Sequence, residues 1–424
     1  MTRLLIKHAQ MVEQPEQLID VLIEDEQIAA IGSSLAVSGV EVIDARGALI
    51  MPGLVDVHVH FRDPGQTDKE TITTGSKAAA RGGFTTVLAM PNVQPVPNTA
   101  ATLHEMVIHN HEKGLVHIEQ YAAVSAELTD QSINDLVGLA QTGAVAFSND
   151  GKGVQSAATM LAAMKAAVKA NRVISAHLED NDLMGHGVVD QSVADQLQVA
   201  GIDPLAETSQ LARDLVLAQA TGAHYHVAHL STKNGVELVR LAKLHGVHVT
   251  AEVTPHHLLL DTTAIHTRKD VNLKMNPPLR TPTDRAAVVA GLLDGTIDMV
   301  ATDHAPHTVA DKAGDMVSAA FGITGLETCF PLLYTHLVRP GIATLAQVQR
   351  WLNQAPAKAF KLSAPTTIRV GQKADLALFD LEHAHTIQAD EFASKSVNTP
   401  FIGEKVYGMT VATIVDGQLV YRAD

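Results

Sequence analysis

The chain has 424 residues, and 31 Lys and Arg against 46 Asp and Glu give a formal net charge of −15. This acidic balance disfavours nucleic acid as a partner, because phosphate binding needs a basic face. With 46% hydrophobic and 18% charged residues, the composition excludes a disordered chain, and a single cysteine excludes an intrachain disulfide. No stretch reaches the ~18 apolar residues of a membrane helix, and the start lacks an apolar signal core. We therefore expect a cytoplasmic globular protein that does not enter a membrane.

Both ends of the chain are predicted to form short strands. Near the N-terminus, the segments LLIKHAQ, IDVLIEDEQIAAIG and EVIDARGALI are apolar runs broken by turns. Near the C-terminus, ADLALFDL and MTVATIVDGQLVYRA have the same character, and Asp416-Gly417 is a hairpin signal. We expect residues 1–52 and 361–424 to form one small β-sandwich domain.

The middle of the chain, residues 53–360, alternates predicted strands with predicted helices, which is typical of βαβ units and a parallel sheet. Eight such units over ~300 residues favour a (β/α)₈ barrel of the α/β class over an open doubly wound sheet. The chain lacks the G-x-G-x-x-G and Walker A motifs of nucleotide-binding folds. The eight strand candidates are GLVDVHVHF, FTTVLAM, VHIEQYAAV, GAVAFSND, RVISAHLED, AHYHVAHLS, VHVTAEVTP and IDMVATDHAP.

Polar side chains concentrate where these strands end, and the carboxyl ends of barrel strands are where such folds carry their active sites. Each residue alone also has a structural interpretation, as a buried histidine, a turn residue or a helix cap. Their joint placement on several strands favours a shared site. The residues are Asp56, His58, His60, Arg62, Asp63, Asn92, Asn149, Asp150, His177, Glu179, His224, His226, His229, His256, His257, Asp303, His304 and His307.

Histidine and aspartate without cysteine form a ligand set for Zn²⁺ or a similar metal. His58 and His60 share one face of a strand, about 6–7 Å apart, so both imidazoles can converge on one ion. Two ions joined by a carboxylate would activate water and polarise a carbonyl, which suits amide or ester hydrolysis. Arg62 follows this pair by two residues and can bind a substrate carboxylate through both of its terminal nitrogens.

Several segments together resemble the amidohydrolase superfamily and, within it, the long-chain bacterial dihydroorotases. The resemblance spans nearly the whole chain. H-x-H alone is common to the superfamily, whereas HVHFRDPG followed by KMNPPLR and ATDHAPH is more specific. The segments are DVHVHFRDPG, AMPN, FSNDGKGVQ, AHLED, EVTPHHLLL, KMNPPLR, ATDHAPH and GQKADLALFD.

The resemblance implies a role for individual residues. His58, His60 and Asp303 would bind a first metal ion, His177 and His229 a second, and Asp150 would bridge the two. Asp303 would also be the catalytic acid and base. Only the match to the family pattern selects His229 over His224 or His226. The substrate would be held by His60, Arg62, Asn92, Asn276 and His307 and by the backbone at Phe321 and Gly322.

One segment departs from many members of the superfamily. Hydantoinases, dihydropyrimidinases, allantoinases and other dihydroorotases bridge their metals with a carboxylated lysine, whereas this chain has FSNDG there. We expect Asp150 to bridge, and Lys152, two residues on, not to serve. Because Asp is shorter than a carboxylated Lys, the second zinc ion would be held more weakly.

The resemblance implies a zinc-dependent enzyme that interconverts N-carbamoyl-L-aspartate and L-dihydroorotate in pyrimidine (UMP) biosynthesis. Two alternatives remain: another cyclic amidohydrolase such as an allantoinase or hydantoinase, or an inactive subunit that scaffolds aspartate carbamoyltransferase. An inactive subunit should have lost metal ligands, and all six are present. We also expect a homodimer, and association with aspartate carbamoyltransferase is compatible with the family.

Overall fold

A computed structural model describes residues 3–129 and 132–423. Twenty strands and thirteen α-helices make up its regular structure, with four short 3₁₀ turns and two π-helical turns. The strands are β1 (Arg3–Met11), β2 (Gln14–Glu24), β3 (Gln27–Gly32), β4 (Glu41–Asp44), β5 (Leu49–Pro52), β6 (Leu54–Val59), β7 (Phe84–Ala89), β8 (His117–Ala123), β9 (Ala144–Ser148), β10 (Val173–Ala176), β11 (Val189–Asp190), β12 (Gly201–Ile202), β13 (Tyr225–Val227), β14 (Val249–Val253), β15 (Met299–Val300), β16 (Leu376–Asp380), β17 (His385–Thr386), β18 (Lys405–Val406), β19 (Met409–Val415) and β20 (Gln418–Arg422).

The helices lie mainly between the barrel strands, and most begin at a Ser, Thr or Asp whose side chain accepts a backbone N–H of the first turn. They are α1 (Ile72–Arg81), α2 (Ala100–Lys113), α3 (Leu136–Thr142), α4 (Ala157–Ala170), α5 (Asn181–Met184), α6 (Gln191–Leu197), α7 (Leu205–Thr221), α8 (Lys233–Leu244), α9 (Pro255–Leu259), α10 (Pro282–Asp294), α11 (Cys329–Leu333), α12 (Leu345–Gln349) and α13 (Ala355–Phe360). The π-helical turns are Tyr334–Val338 and Arg350–Gln354.

Eight parallel strands form a nearly closed barrel in the order β6-β7-β8-β9-β10-β13-β14-β15. A parallel bridge between Val59 and His304 joins the first strand to the segment after the last. All eight strands predicted from the sequence are present, and the predicted fold class is confirmed. The strands are almost wholly buried, because helices cover the outside and side chains fill the interior.

The two chain ends form a separate eight-stranded sheet, ordered β20-β19-β16-β5-β1-β2-β3 with β4 on β1. The antiparallel pair β5–β16 joins the N-terminal and C-terminal halves. The predicted hairpin is confirmed: Asp416 and Gly417 have φ of +51° and +72° between β19 and β20, as the favoured two-residue turn requires. The N-terminal part of this sheet ends at Pro52 and the barrel begins at Leu54; the division into two domains stays a prediction.

The terminal sheet packs against the outside of the barrel through aromatic side chains. Phe379 of β16 stacks on Phe330 of α11, with ring centroids 3.8 Å apart and planes 18° from parallel. Gly83, which precedes β7, has φ +85°, and a Cβ there would lie 2.6 Å from the Phe379 ring. The close fit of ring and backbone therefore requires glycine at this position.

Among the helices of residues 3–129 and 132–423, none has both the length and the apolar character needed to cross a membrane.

We expect Phe379→Ala to lower the free energy of unfolding by about 3–5 kcal/mol, because it removes a fully buried ring at the contact between sheet and barrel. Urea unfolding followed by circular dichroism measures the change. Phe379→Leu, which keeps most of the volume, is the matched control and should cost less than half as much. A loss below about 1 kcal/mol for Phe379→Ala would mean that the contact does not stabilise the protein.

Candidate active site

The polar residues at the strand ends meet at one mouth of the barrel. His58 is in β6, His177 follows β10 by one residue, and Asp150 and His229 follow their strands by two. A cavity of about 190 Å³ opens there. The predicted residues that line it are His60, Arg62, Asn92, Asp150, His177, His229, Asn276, Asp303, His307, Phe321 and Gly322.

One group of imidazoles and carboxylates surrounds His58 and His60. Nε2 of His58 lies 3.3 Å from Oδ1 of Asp150 and 3.4 Å from Oδ1 of Asp303. Nε2 of His60 lies 3.0 Å from the same Asp303 oxygen and 3.4 Å from Oδ2 of Asp150. All four residues are buried. His58, His60 and Asp303 thus present three potential ligand atoms within 4.8 Å of one another.

A second group shares Asp150 with the first. Nδ1 of His177 and Nε2 of His229 are 2.9 Å apart, and each lies 3.6 Å from Oδ1 of Asp150. Asp150 therefore stands between the two imidazole pairs, where a bridging carboxylate would have to be. Lys152, by contrast, is exposed.

Three residues of the site have backbone conformations that side chains rarely adopt. Arg62, His229 and Asp303 have φ of +60°, +33° and +49°. Such conformations cost about 1–3 kcal/mol each and persist where the surrounding structure imposes them, often at functional sites. In this chain they turn the three side chains into the barrel mouth immediately after their strands.

Glu252 of β14 holds two histidines beneath the site. Its Oε1 lies 2.6 Å from Nδ1 of His58, and its Oε2 lies 3.0 Å from Nε2 of His226. It also accepts the backbone N–H of His229. Because an ionised carboxylate only accepts, Nδ1 of His58 donates to Glu252, and Nε2 is the nitrogen that faces Asp150 and Asp303.

His60 is fixed in the same way by Asn92, whose Oδ1 lies 2.8 Å from Nδ1. The amide Nδ2 of Asn92 then remains as a donor at the cavity. His226, one of the three histidines that spacing could not separate, points to Glu252 and not to the cavity. His229 is the member that reaches Asp150.

The donor set fits a bound cation. Nε2 of His58 and Oδ1 of Asp150 are buried atoms without a hydrogen-bond partner among the described residues. Burial alone lowers the pKa of His58, but the carboxylates of Asp150, Glu252 and Asp303 outweigh it and raise that pKa well above the usual value. A site with this surplus of buried carboxylates needs positive charge, and His and Asp ligands suit a divalent metal. The clusters therefore indicate a metal site.

The carboxylates themselves respond to the same histidines. Burial favours the neutral form of Asp303, yet His58 and His60 hold its pKa below the usual range. The pKa of Glu252 falls to about 2 although burial opposes this, because His58 and His226 lie against it. Both groups are thus ionised at neutral pH.

Arg62 lies at one wall of the cavity without an acidic partner. Its guanidinium is buried, its Nε donates to the backbone oxygen of Pro306 at 3.3 Å, and it forms no ion pair within the described ranges. Nε2 of His307 is 3.5 Å away and donates to the carbonyl of Phe321 at 2.7 Å. Burial and the nearby Arg62 charge lower the pKa of His307 to about 3, so it is neutral. An anion in the cavity would pair with Arg62.

Asn276 lines the cavity beside His177. Its Nδ2 donates to Glu179, and it lies 3.4 Å from Nε2 of His177. Glu179, which belongs to the AHLED segment, thus orients both Asn276 and His177. The neighbouring His257 lies 3.0 Å from the backbone oxygen of Pro277 and 2.8 Å from the hydroxyl of Thr254, so both of its ring nitrogens have partners within the protein.

The backbone at Phe321 and Gly322 is held from behind by two side chains. Nζ of Lys312 donates to the oxygen of Gly322 at 3.1 Å, and Nδ2 of Asn398 donates to the same oxygen at 3.1 Å. Asn398 also accepts the backbone N–H of His307. The N–H of Gly322 donates to the oxygen of Lys274, so the hydrogen-bonding groups of Gly322 are already used within the protein.

Two contributors to the site, Glu252 and Asn398, were missed by sequence reasoning. Glu252 lies in the quoted segment EVTPHHLLL, and a charged residue inside an apolar strand was the available signal for it. Asn398 carries no such signal, because it is 91 residues from His307 in a loop of the C-terminal region.

The comparisons with known proteins agree with this geometry. A family model described as dihydro-orotase-like matches residues 47–235. The chain is 52% identical over 424 residues to a protein named dihydroorotase from Pediococcus pentosaceus, with 100% of each chain covered. It is 54% identical over 405 residues to one from Lactobacillus johnsonii, with 95% of each covered.

Solved structures share the whole architecture at lower identity. L-hydantoinase (dihydropyrimidinase) from Arthrobacter aurescens superposes with a TM-score of 0.87 at 27% identity, covering 100% of this chain and 96% of that chain. Dihydropyrimidinase from Brevibacillus agri gives 0.84 at 25% identity, covering 99% and 95%. Given its full-length identity to the bacterial relatives, the chain belongs to the dihydroorotase family.

Proposed function

We propose that the protein catalyses the reversible cyclisation of N-carbamoyl-L-aspartate to L-dihydroorotate, with loss of water, in pyrimidine biosynthesis. Arg62 is the observation that carries the proposal. It is a buried guanidinium without a carboxylate partner in the described part of the chain, and it lines the same cavity as the His and Asp cluster. A substrate with a ring amide and a carboxylate satisfies both features at once.

The cofactor we propose is zinc, with two ions per subunit. His58, His60 and Asp303 would hold the first, His177 and His229 the second, and Asp150 would contribute to both. Bound zinc supplies Lewis-acid polarisation of a carbonyl and lowers the pKa of water. The second ion would be held less tightly, because the short Asp150 side chain has to serve both groups of histidines.

The protein's own residues position the substrate and move the proton. Arg62 binds the substrate carboxylate, Nδ2 of Asn92 adds a neutral donor, and His307 and the Phe321–Gly322 backbone enclose the ring with Asn276. Asp303 contacts the histidines through Oδ1, which leaves Oδ2 for proton transfer. In the hydrolytic direction it accepts a proton from the attacking water and returns it to the leaving ring nitrogen.

Two alternatives are less well supported. The hydantoinases and dihydropyrimidinases that share the fold are named for substrates without a carboxylate at the ring, which would leave Arg62 buried and unpaired. An inactive scaffold would not need six buried His and Asp side chains around one cavity, nor His58 and His60 oriented by Glu252 and Asn92. Homodimer formation, association with aspartate carbamoyltransferase and a cytoplasmic location stay predictions.

We expect Arg62→Met to lower kcat/KM for dihydroorotate by about 10²-fold or more, because charge-assisted hydrogen bonds contribute about 1.5–3 kcal/mol each. The metal content should not change, and turnover of dihydrouracil, which has no carboxylate, should hardly be affected. Steady-state kinetics on both substrates and metal analysis measure this.

Arg46→Met is the matched control. Arg46 also has a positive φ, but its side chain is exposed and does not line the cavity. The control therefore makes the same substitution in the same backbone conformation outside the site. Unchanged dihydroorotate turnover in Arg62→Met would refute the assignment, as would faster turnover of dihydrouracil, a hydantoin or allantoin than of dihydroorotate by the unmodified protein.

Glu252→Gln should weaken zinc binding about 10–100-fold, the usual cost of removing the group that orients a ligating histidine. The glutamine amide has only one oxygen, so it cannot accept hydrogen bonds from both His58 and His226 as the two carboxylate oxygens do. Competition with a chromogenic chelator gives the affinity, and circular dichroism establishes that the variant is folded. Glu119→Gln, at an exposed position of β8, should bind zinc normally. Normal zinc affinity in Glu252→Gln would show that Glu252 does not orient the ligand.

Asp150→Ala should lose the more weakly held zinc ion first, and added bicarbonate should not restore zinc binding or activity to the metal-free protein. Zinc content is measured by mass spectrometry after dialysis at defined free zinc. Lys152→Met, two residues away, should keep the full zinc content. Bicarbonate-dependent zinc binding that disappears in Lys152→Met would identify the lysine as the bridging group and contradict the proposal.

A further inference from the structure

A second region of the barrel carries cavities outside the candidate active site. Two adjoining cavities of about 480 and 130 Å³ share His224, His248 and Lys361. His224 and His248 each precede the first residue of a strand, β13 and β14. Because all barrel strands are parallel, these cavities open at the end of the barrel opposite to Asp150 and Asp303.

The cavity walls carry an unusual surplus of positive charge. Arg350 and Lys358 line the larger cavity, Arg172 lines the smaller one, and Lys361 lines both. None of these four cations forms an ion pair with a carboxylate of residues 3–129 or 132–423. In a chain with 15 more acidic than basic residues, four neighbouring cations without an acidic partner are not the expected surface arrangement.

The carboxylate in the lining does not offset these cations, because it is already paired elsewhere. Oδ2 of Asp298 lies 2.7 Å from Nζ of Lys243 and accepts the backbone N–H of Ala251 at 2.8 Å. Lys361, in turn, donates to the side-chain oxygen of Asn171, a neutral partner that leaves its charge uncompensated.

A flat, uncharged surface lies beside the cations. The rings of His224 and His248 stack with centroids 4.1 Å apart and planes 14° from parallel. Nε2 of His224 is 2.9 Å from the hydroxyl of Thr250, which fixes the ring. Burial and the neighbouring His248 lower the pKa of His224 to about 3, so the ring is neutral at physiological pH.

We propose that the larger cavity binds a phosphorylated small molecule, with its phosphate groups held by Arg350, Lys358 and Lys361. Its volume is within the range of about 300–1,000 Å³ for small-molecule sites. Arginine and lysine side chains are the usual partners of phosphate oxygens. The acidic balance of the whole protein and the concave shape favour a small phosphate compound over a nucleic acid strand.

The test is isothermal titration calorimetry of the zinc-loaded protein with inorganic pyrophosphate. Saturable binding with a dissociation constant of about 1 mM or lower is expected. Lys361→Met and Lys358→Met should each weaken it about tenfold or more, since each removes a charge-assisted contact. At a pyrophosphate concentration near the dissociation constant of the unmodified protein, hydrogen exchange should show protection of residues 350–361 there and much weaker protection in Lys361→Met.

Lys113→Met is the matched control, because Lys113 is an exposed lysine of α2 outside both cavities, and it should bind pyrophosphate normally. Three results would overturn the proposal: no saturable binding, equal binding by the two cavity variants and the unmodified protein, or an equal loss in Lys113→Met. Equal binding by the cavity variants would place pyrophosphate at the zinc ions or Arg62 instead. None of these measurements depends on the catalytic activity.

Discussion

The buried carboxylate of Glu252 is the interaction on which the candidate site depends. It accepts hydrogen bonds from His58 and His226 and from the backbone N–H of His229, so it ties its own strand β14 to β6 and to β13. Burying an ionised carboxylate costs free energy unless both of its oxygens accept hydrogen bonds. Its partners satisfy that requirement, and in return Nε2 of His58 is aimed at Asp150 and Asp303.

The topology of the barrel determines which residues can contribute to the candidate site. Parallel strands bring their carboxyl ends to one rim, so residues far apart in the chain meet there without any local motif. Three of the residues at this rim, Arg62, His229 and Asp303, leave their strands through left-handed backbone conformations. The stability of the surrounding barrel therefore maintains the geometry of the site, and the stack of Phe330 on Phe379 ties the terminal sheet to that barrel.

The sequence predicted the eight strands well, because each is a short apolar run bounded by turn residues and polar strand ends. It also placed candidate residues around the cavity, because the carboxyl ends of the strands can be located in the sequence. The family resemblance then selected His229 over His224 and His226. The contacts that Glu252 and Asn398 make with residues of the site could not be predicted from the sequence in this way. Glu252 meets His58 across 194 residues of sequence and Asn398 meets His307 across 91. Such pairs are set by tertiary packing, which no local spacing records.

Beneath the site, the interior of the barrel contains a column of polar groups instead of a purely apolar filling. Glu252 accepts from Nε2 of His226, so Nδ1 of a neutral His226 must accept from the hydroxyl of Thr250, which lies 2.8 Å away. That hydroxyl can then only accept from Nε2 of His224. The ionised state of one carboxylate therefore dictates a single order of proton positions along the barrel axis: the donor nitrogens, Nδ1 of His58 at one mouth and Nε2 of His224 at the other, are correlated although they share no contact.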